Sequence, residues 1–118
     1  MSSVNTIARR ALAEFTGTAA LVTVVVGAGI MATGLSGDVG VQLLATSLAT
    51  AAGLAVLITV FAPVSGAHVN PVVSLAAWLL ARRQAAPAVR GRDLAVYLPA
   101  QTAGAVAGAM LAETLYES

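Results

Sequence analysis

The chemistry of this chain starts at Asn70, the last residue of the run Ser65-Gly66-Ala67-His68-Val69-Asn70 and directly followed by Pro71. An asparagine side chain carries an acceptor oxygen and a donor nitrogen. The oxygen caps the free amides of a helix beginning at the next residue. Pro71 suits the first helical position, where its missing N–H has no intrahelical partner to lose. The nitrogen is then left to donate to something outside the backbone. Acid–base catalysis has no comparable support: there is one histidine, no cysteine, and no second carboxylate deep in an apolar run to pair with Glu14. Neither an enzyme nor a metal or cofactor site is expected. For His68 the expected role is a ring hydrogen-bonded to loop backbone, not a ligand or gate.

The elements that must hold Asn70 follow from the residues around it. A helix from Asn70 to about Ala81 is expected, with Arg82 and Arg83 complementing the negative end of its dipole. Such a helix is about 18 Å long, roughly half of a ~30 Å hydrocarbon core. It is too short to span and, with Val72, Val73, Leu75, Trp78, Leu79 and Leu80, too apolar for water. Trp78 is expected to pack against lipid or core. A half-helix led in by a glycine-containing loop, residues 65–81 together, reads as a re-entrant segment. Irregular backbone is tolerated at membrane depth only when protein buries it or a water-filled cavity lines it.

Composition agrees with a membrane setting. The chain is 58% hydrophobic and 9% charged, with a mean hydropathy of +0.89, where soluble domains carry about 25% charged residues. Without cysteine there is no disulfide framework and no thiolate metal site. The first apolar run exceeds the h-region of a cleavable signal and lacks a cleavage pattern. Full spans are expected at about 7–31, 41–62 and 94–115, with residues 1–6 fraying. Glu14 lies within the first span and must face protein or a cavity, unless it pairs with Arg10 one turn away. The loop 33–40 contains Asp38. The second span is rich in small residues that allow close helix approach, and Pro63 is expected to end it. A charged loop, residues 82–93 with Pro87 and Gly91, precedes the third span, which carries Gln101, Thr102 and the Gly104-x-x-x-Gly108 pattern. That pattern marks either a helix-packing face or simply an alanine-rich composition.

All six basic residues are arginines, Arg9, Arg10, Arg82, Arg83, Arg90 and Arg92. With three full spans both groups fall on one side, which the positive-inside rule makes cytoplasmic. The fold class expected is therefore an all-α integral membrane protein of the cell membrane, with three transmembrane helices plus one re-entrant half-helix. Its N-terminus and 82–93 loop are expected in the cytoplasm.

Three segments resemble the aquaporin (major intrinsic protein) family. Ala13-Glu14-Phe15-Thr16-Gly17-Thr18 is similar to its first-helix signature. Ser65-Gly66-Ala67-His68-Val69-Asn70-Pro71-Val72 is similar to its first Asn-Pro-Ala loop, and Ala100-Gln101-Thr102-Ala103-Gly104-Ala105 to its third helix. The resemblance implies one half of such a channel. It makes Asn70 a pore donor to a passing water or hydroxyl, Gly66, Ala67 and His68 pore-lining carbonyl acceptors, and Glu14 a buried acid orienting the loop backbone. It also implies that the positive N-terminal end of the half-helix helps exclude cations and protons.

Two positions depart from the family pattern. Val72 replaces the usual alanine where two half-helices meet, so that junction has to loosen. Thr50, twenty residues before Asn70, stands where water-selective members carry a bulky aromatic. By the resemblance, a threonine there is expected to widen and polarise the filter, favouring polyols or metalloid hydroxides over water alone. The family pore needs two inverted halves, and no internal repeat here supplies the second. The expected partners are the lipid bilayer, water or small neutral solutes, and a complementary half or an oligomer; no nucleic acid is expected. A secondary-transporter subunit or a non-conducting membrane interaction protein on the same fold are the alternatives.

Overall fold

The computed structural model describes residues 3–84 and 89–116. It is all-α in these residues: α1 (Ser3–Leu35), α2 (Val39–Ser65), α3 (Pro71–Ala81) and α4 (Gly91–Tyr116). Long apolar stretches of α1, α2 and α4 suffice to cross a membrane, with mean hydropathies of 1.9, 2.1 and 1.4. Leu43, Leu48, Val56, Val60, Val106 and Met110 are exposed, whereas Glu14, Ser65, Ser74, Asp93 and Gln101 are buried. That polarity suits lipid, which solvates apolar side chains and leaves polar groups to find partners inside the protein.

Close approaches fix the topology. A side chain on Gly17 would meet Phe61 and one on Gly53 would meet Val24, so α1 and α2 run antiparallel. Gly104 and Gly108 lie against the backbone of Phe15 and Ala19, and Gly27 lies against Tyr116, so α1 and α4 run parallel. The Gly104-x-x-x-Gly108 pattern is thus a specific packing face. A Cβ at either position would collide with a main-chain carbonyl oxygen of α1. The Thr23 hydroxyl marks the same seam, 2.7 Å from the Ala19 carbonyl and 3.2 Å from that of Gly108.

Residues 66–70 turn the chain back, and α3 runs antiparallel to α4. Ser74, in its second turn, bonds Gln101 in the middle of α4. Trp78 lies near Gly91 at the start of α4. The half-helix therefore begins midway along the long helices and returns to the end where α4 starts. Asn70 is extended (φ −158°, ψ 128°) and its side chain accepts from the Val72 amide, so capping occurs where the sequence placed it.

Element ends differ from expectation for local reasons. Pro63 does not end α2: it removes one amide in the final turns, and the helix continues to Ser65. The stop is Gly66, whose φ of 88° reverses the chain while its N–H donates to the Ala62 carbonyl. Asp38, read as a loop residue, caps α2 by accepting from the Val41 amide at 3.1 Å. Asp93, read as part of the charged loop, sits in the first turn of α4. The helix starts at Ser3, within the stretch expected to fray. Pro87 and residues 85–88 of the expected loop lie outside the described residues.

Candidate functional site at the tip of the half-helix

Glu14 organises the backbone that carries Asn70. Its side chain is fully buried. Oε1 accepts from the Val69 amide at 2.9 Å and from Gln101 Nε2 at 2.7 Å. Oε2 accepts from the Ser65 hydroxyl at 2.6 Å and the His68 amide at 3.2 Å. A carboxylate offers about four acceptor positions, and all are used. Arg10 is not its partner; that guanidinium reaches Asp93 Oδ1 at 3.3 Å and the Tyr97 hydroxyl at 3.0 Å.

The loop so held is conformationally unusual. Gly66, Ala67 and Val69 have φ of 88°, 51° and 46°. The left-handed region suits glycine, but for a β-branched residue such as Val69 it is an outlier that surrounding structure must impose. Ala67 and Val69 are both buried, and Val69 packs against Gly17, where a larger residue would leave too little room. Ser65 reinforces the turn by accepting from the Ala67 amide at 3.3 Å.

Behind the loop, His68 Nδ1 lies 2.8 Å from Ser74 Oγ, which also accepts from Gln101 Nε2 at 2.8 Å. The His68 ring meets the Tyr97 ring edge-on with centroids 5.3 Å apart. The histidine contact is therefore to a side-chain hydroxyl rather than to loop backbone.

Asn70 presents the opposite face. It is exposed, and its Oδ1 is occupied by the Val72 amide at 2.8 Å. An open cavity of about 370 Å³ lies beside it, walled by Leu21, Val22 and Ala105 and reached also by Thr18, Pro71 and Gln101. Two buried oxygens in residues of this wall, Thr18 Oγ1 and Gln101 Oε1, find no hydrogen-bond partner among the described residues. The Gln101 amide cannot usefully be turned around, because its nitrogen is required by the Glu14 carboxylate. Val72 is 72% exposed at the same tip. Thr50 is partly exposed, its hydroxyl bonded to the Thr46 carbonyl at 2.8 Å, and it does not line this cavity.

Ser74 and Tyr97 were not singled out from the sequence, and Ser65 and Asp93 were read only as parts of the two loops. A signal for part of this set was present. Asp93, Tyr97 and Gln101, followed by Gly104, Gly108 and Ala112, recur every three or four residues and form the buried stripe of α4. Likewise Ser74 follows Asn70 by one helical turn.

A short apolar helix, begun by an exposed asparagine and held by a buried glutamate, stands beside three helices long and apolar enough to cross a membrane, the marks of an α-helical membrane protein. The chain belongs to the major intrinsic protein family, whose profile it matches over residues 1–118. It is 46% identical over 109 residues to "Aquaglyceroporin AqpS" of Rhizobium meliloti (strain 1021), covering 92% of this chain and 44% of that protein. It is 51% identical over 55 residues to a "Glycerol uptake facilitator protein" of Pseudomonas aeruginosa, covering 47% of this chain and 18% of that one. To "Probable aquaporin PIP2-8" of Oryza sativa subsp. japonica it is 38% identical over 108 residues, covering 92% and 36%. The chain thus spans less than half the length of these relatives. The family is one of membrane channels for water or glycerol rather than of enzymes.

Proposed function

We propose that this chain supplies one half of a membrane pore for passive transport of water or small uncharged solutes, and needs a second half to close it. One observation carries the reading. The oxygen of Asn70 is committed to the Val72 amide, while its nitrogen enters no hydrogen bond with the described residues and lies at the uncovered tip of a half-helix beside the cavity. A solute oxygen passing this point meets a donor and the positive end of the α3 dipole, which disfavours cations. Gly66, Ala67 and His68 supply carbonyl acceptors on the approach, Pro71 and Val72 shape the tip, and Thr50 sets the width of the outer path. The names of the aquaglyceroporin and glycerol-facilitator relatives support solutes larger than water. Ion-coupled transport is disfavoured because Glu14 has no acceptor position left for a coupling ion.

The arginine distribution supports a cytoplasmic N-terminus and 82–93 loop. The contact of Arg10 with Asp93 agrees, since it brings the starts of α1 and α4 to one end of the molecule.

The test is Asn70→Asp in an assembly reconstituted with a complementary half. Aspartate keeps the capping oxygen but replaces the pore donor with a carboxylate. Solute flux is expected to fall about tenfold or more, the equivalent of one lost hydrogen bond of about 1.4 kcal/mol, and cation exclusion to weaken. Unchanged flux and exclusion would refute the role of Asn70.

A further inference from the structure

We propose that Tyr97 is a positioning residue for the loop carbonyls, and that Arg10 sets the direction in which its hydroxyl acts. Arg10 Nε lies 3.0 Å from the Tyr97 oxygen, and a guanidinium can only donate. The Tyr97 oxygen is therefore the acceptor of that bond, and its single proton is directed to the Ser65 carbonyl, 2.6 Å away. Asp93 steadies the arginine at 3.3 Å and is itself anchored by the Arg90 amide at 2.9 Å.

Ser65 is the last residue of α2, and its carbonyl is one of the acceptors that a helix end leaves without an intrahelical partner. The amide that a continuing helix would bring to it belongs to Val69 and is taken by Glu14. The turn is thus clamped from both polarities. Glu14 takes its N–H groups from one side, and Tyr97 donates to the carbonyl where the turn begins. Within the clamped turn, Ala67 and Val69 hold positive φ values that residues with a Cβ disfavour and therefore leave when a clamp is removed. Because the peptide groups in this stretch bear the carbonyls of Gly66, Ala67 and His68, their rotation changes what a solute meets. Tyr97 accordingly governs selectivity while standing one layer behind the path, 1% exposed. This part of the inference rests on the half-pore reading.

Tyr97→Phe removes the hydroxyl and keeps the ring with its edge contact to His68. In the full chain in nanodiscs, amide hydrogen exchange at His68 and Val69 is expected to accelerate about tenfold, with exchange in the middle of α1 and α2 unchanged. In an assembly with a complementary half, at equal protein in the membrane, the ratio of glycerol to water flux is expected to shift about threefold or more. Arg10→Lys, which keeps one donor without the fork, should fall between wild type and Tyr97→Phe in both measurements. Exchange at the wild-type rate, or a proportional fall of both fluxes, overturns the proposal. If the wild-type assembly carries no solute, the half-pore reading fails, and the exchange measurement alone decides the role of Tyr97.

Discussion

At Glu14 a single side chain ties together a long helix, a loop and a neighbouring helix. The same carboxylate that would be costly in lipid becomes stabilising once four donors surround it. Its substitution should therefore depend on chemistry more than on size. Glu14→Gln retains one acceptor oxygen and should destabilise by about 1–2 kcal/mol, whereas Glu14→Leu abandons all four donors and should cost about 3 kcal/mol or more. Unfolding midpoints in mild detergent compare the two. Equal midpoints would mean that the loop is held by packing alone. Residue types alone left Glu14 a choice between protein and Arg10, and only the family resemblance pointed it to the loop backbone. Asp93 decided that choice by claiming the arginine, 83 positions away in the chain.

Among the elements, α1 and α4 form the most intimate pair, and glycine is the reason. Without side chains at Gly104 and Gly108 the two backbones come close enough for main-chain carbonyls of α1 to occupy the space a Cβ would need. Gly108→Ala should destabilise by about 1–3 kcal/mol, the usual range for overpacking. Gly29, by contrast, has nothing within 4 Å of where its Cβ would stand. Gly29→Ala should be neutral or stabilise by about 0.5–1 kcal/mol through backbone entropy. Thermal or denaturant unfolding of the two variants measures the contrast, and equal effects would show that the close approach contributes nothing. The motif itself was legible as a candidate face. Its partner was not, because small residues on α2 offered an equally suitable surface.

For the whole molecule, the placement of charge predicts an orientation in the membrane. Cysteine is absent from the sequence, so single cysteines report topology directly. Arg83→Cys should react with an impermeant reagent only from the cytoplasmic side, and Gly37→Cys only from the opposite side. The same distribution opposes the oppositely inserted pair that a self-made pore would require, so vesicles containing this chain alone should show solute flux at the level of empty vesicles. Channel-like flux together with labelling of both positions from both sides would establish an antiparallel pair and refute the orientation argument.

What the sequence determined by itself was local in origin. The three apolar runs, the Asn70-Pro71 helix start and the shortness of α3 follow from hydropathy, proline geometry and side-chain capping, each acting within a few residues. Even the failure at Pro63 was local, since a proline near a helix end costs one bond and Gly66 supplies the actual reversal. Tertiary structure decided the rest. It set which donors reach Glu14, that Tyr97 meets Ser65, and that Ala67 and Val69 adopt left-handed backbone angles. These features depend on groups 32 to 87 residues apart finding one another in a medium that offers polar atoms no other partner. No short window of sequence contains both halves of such a bond, and only the packed helices bring them together.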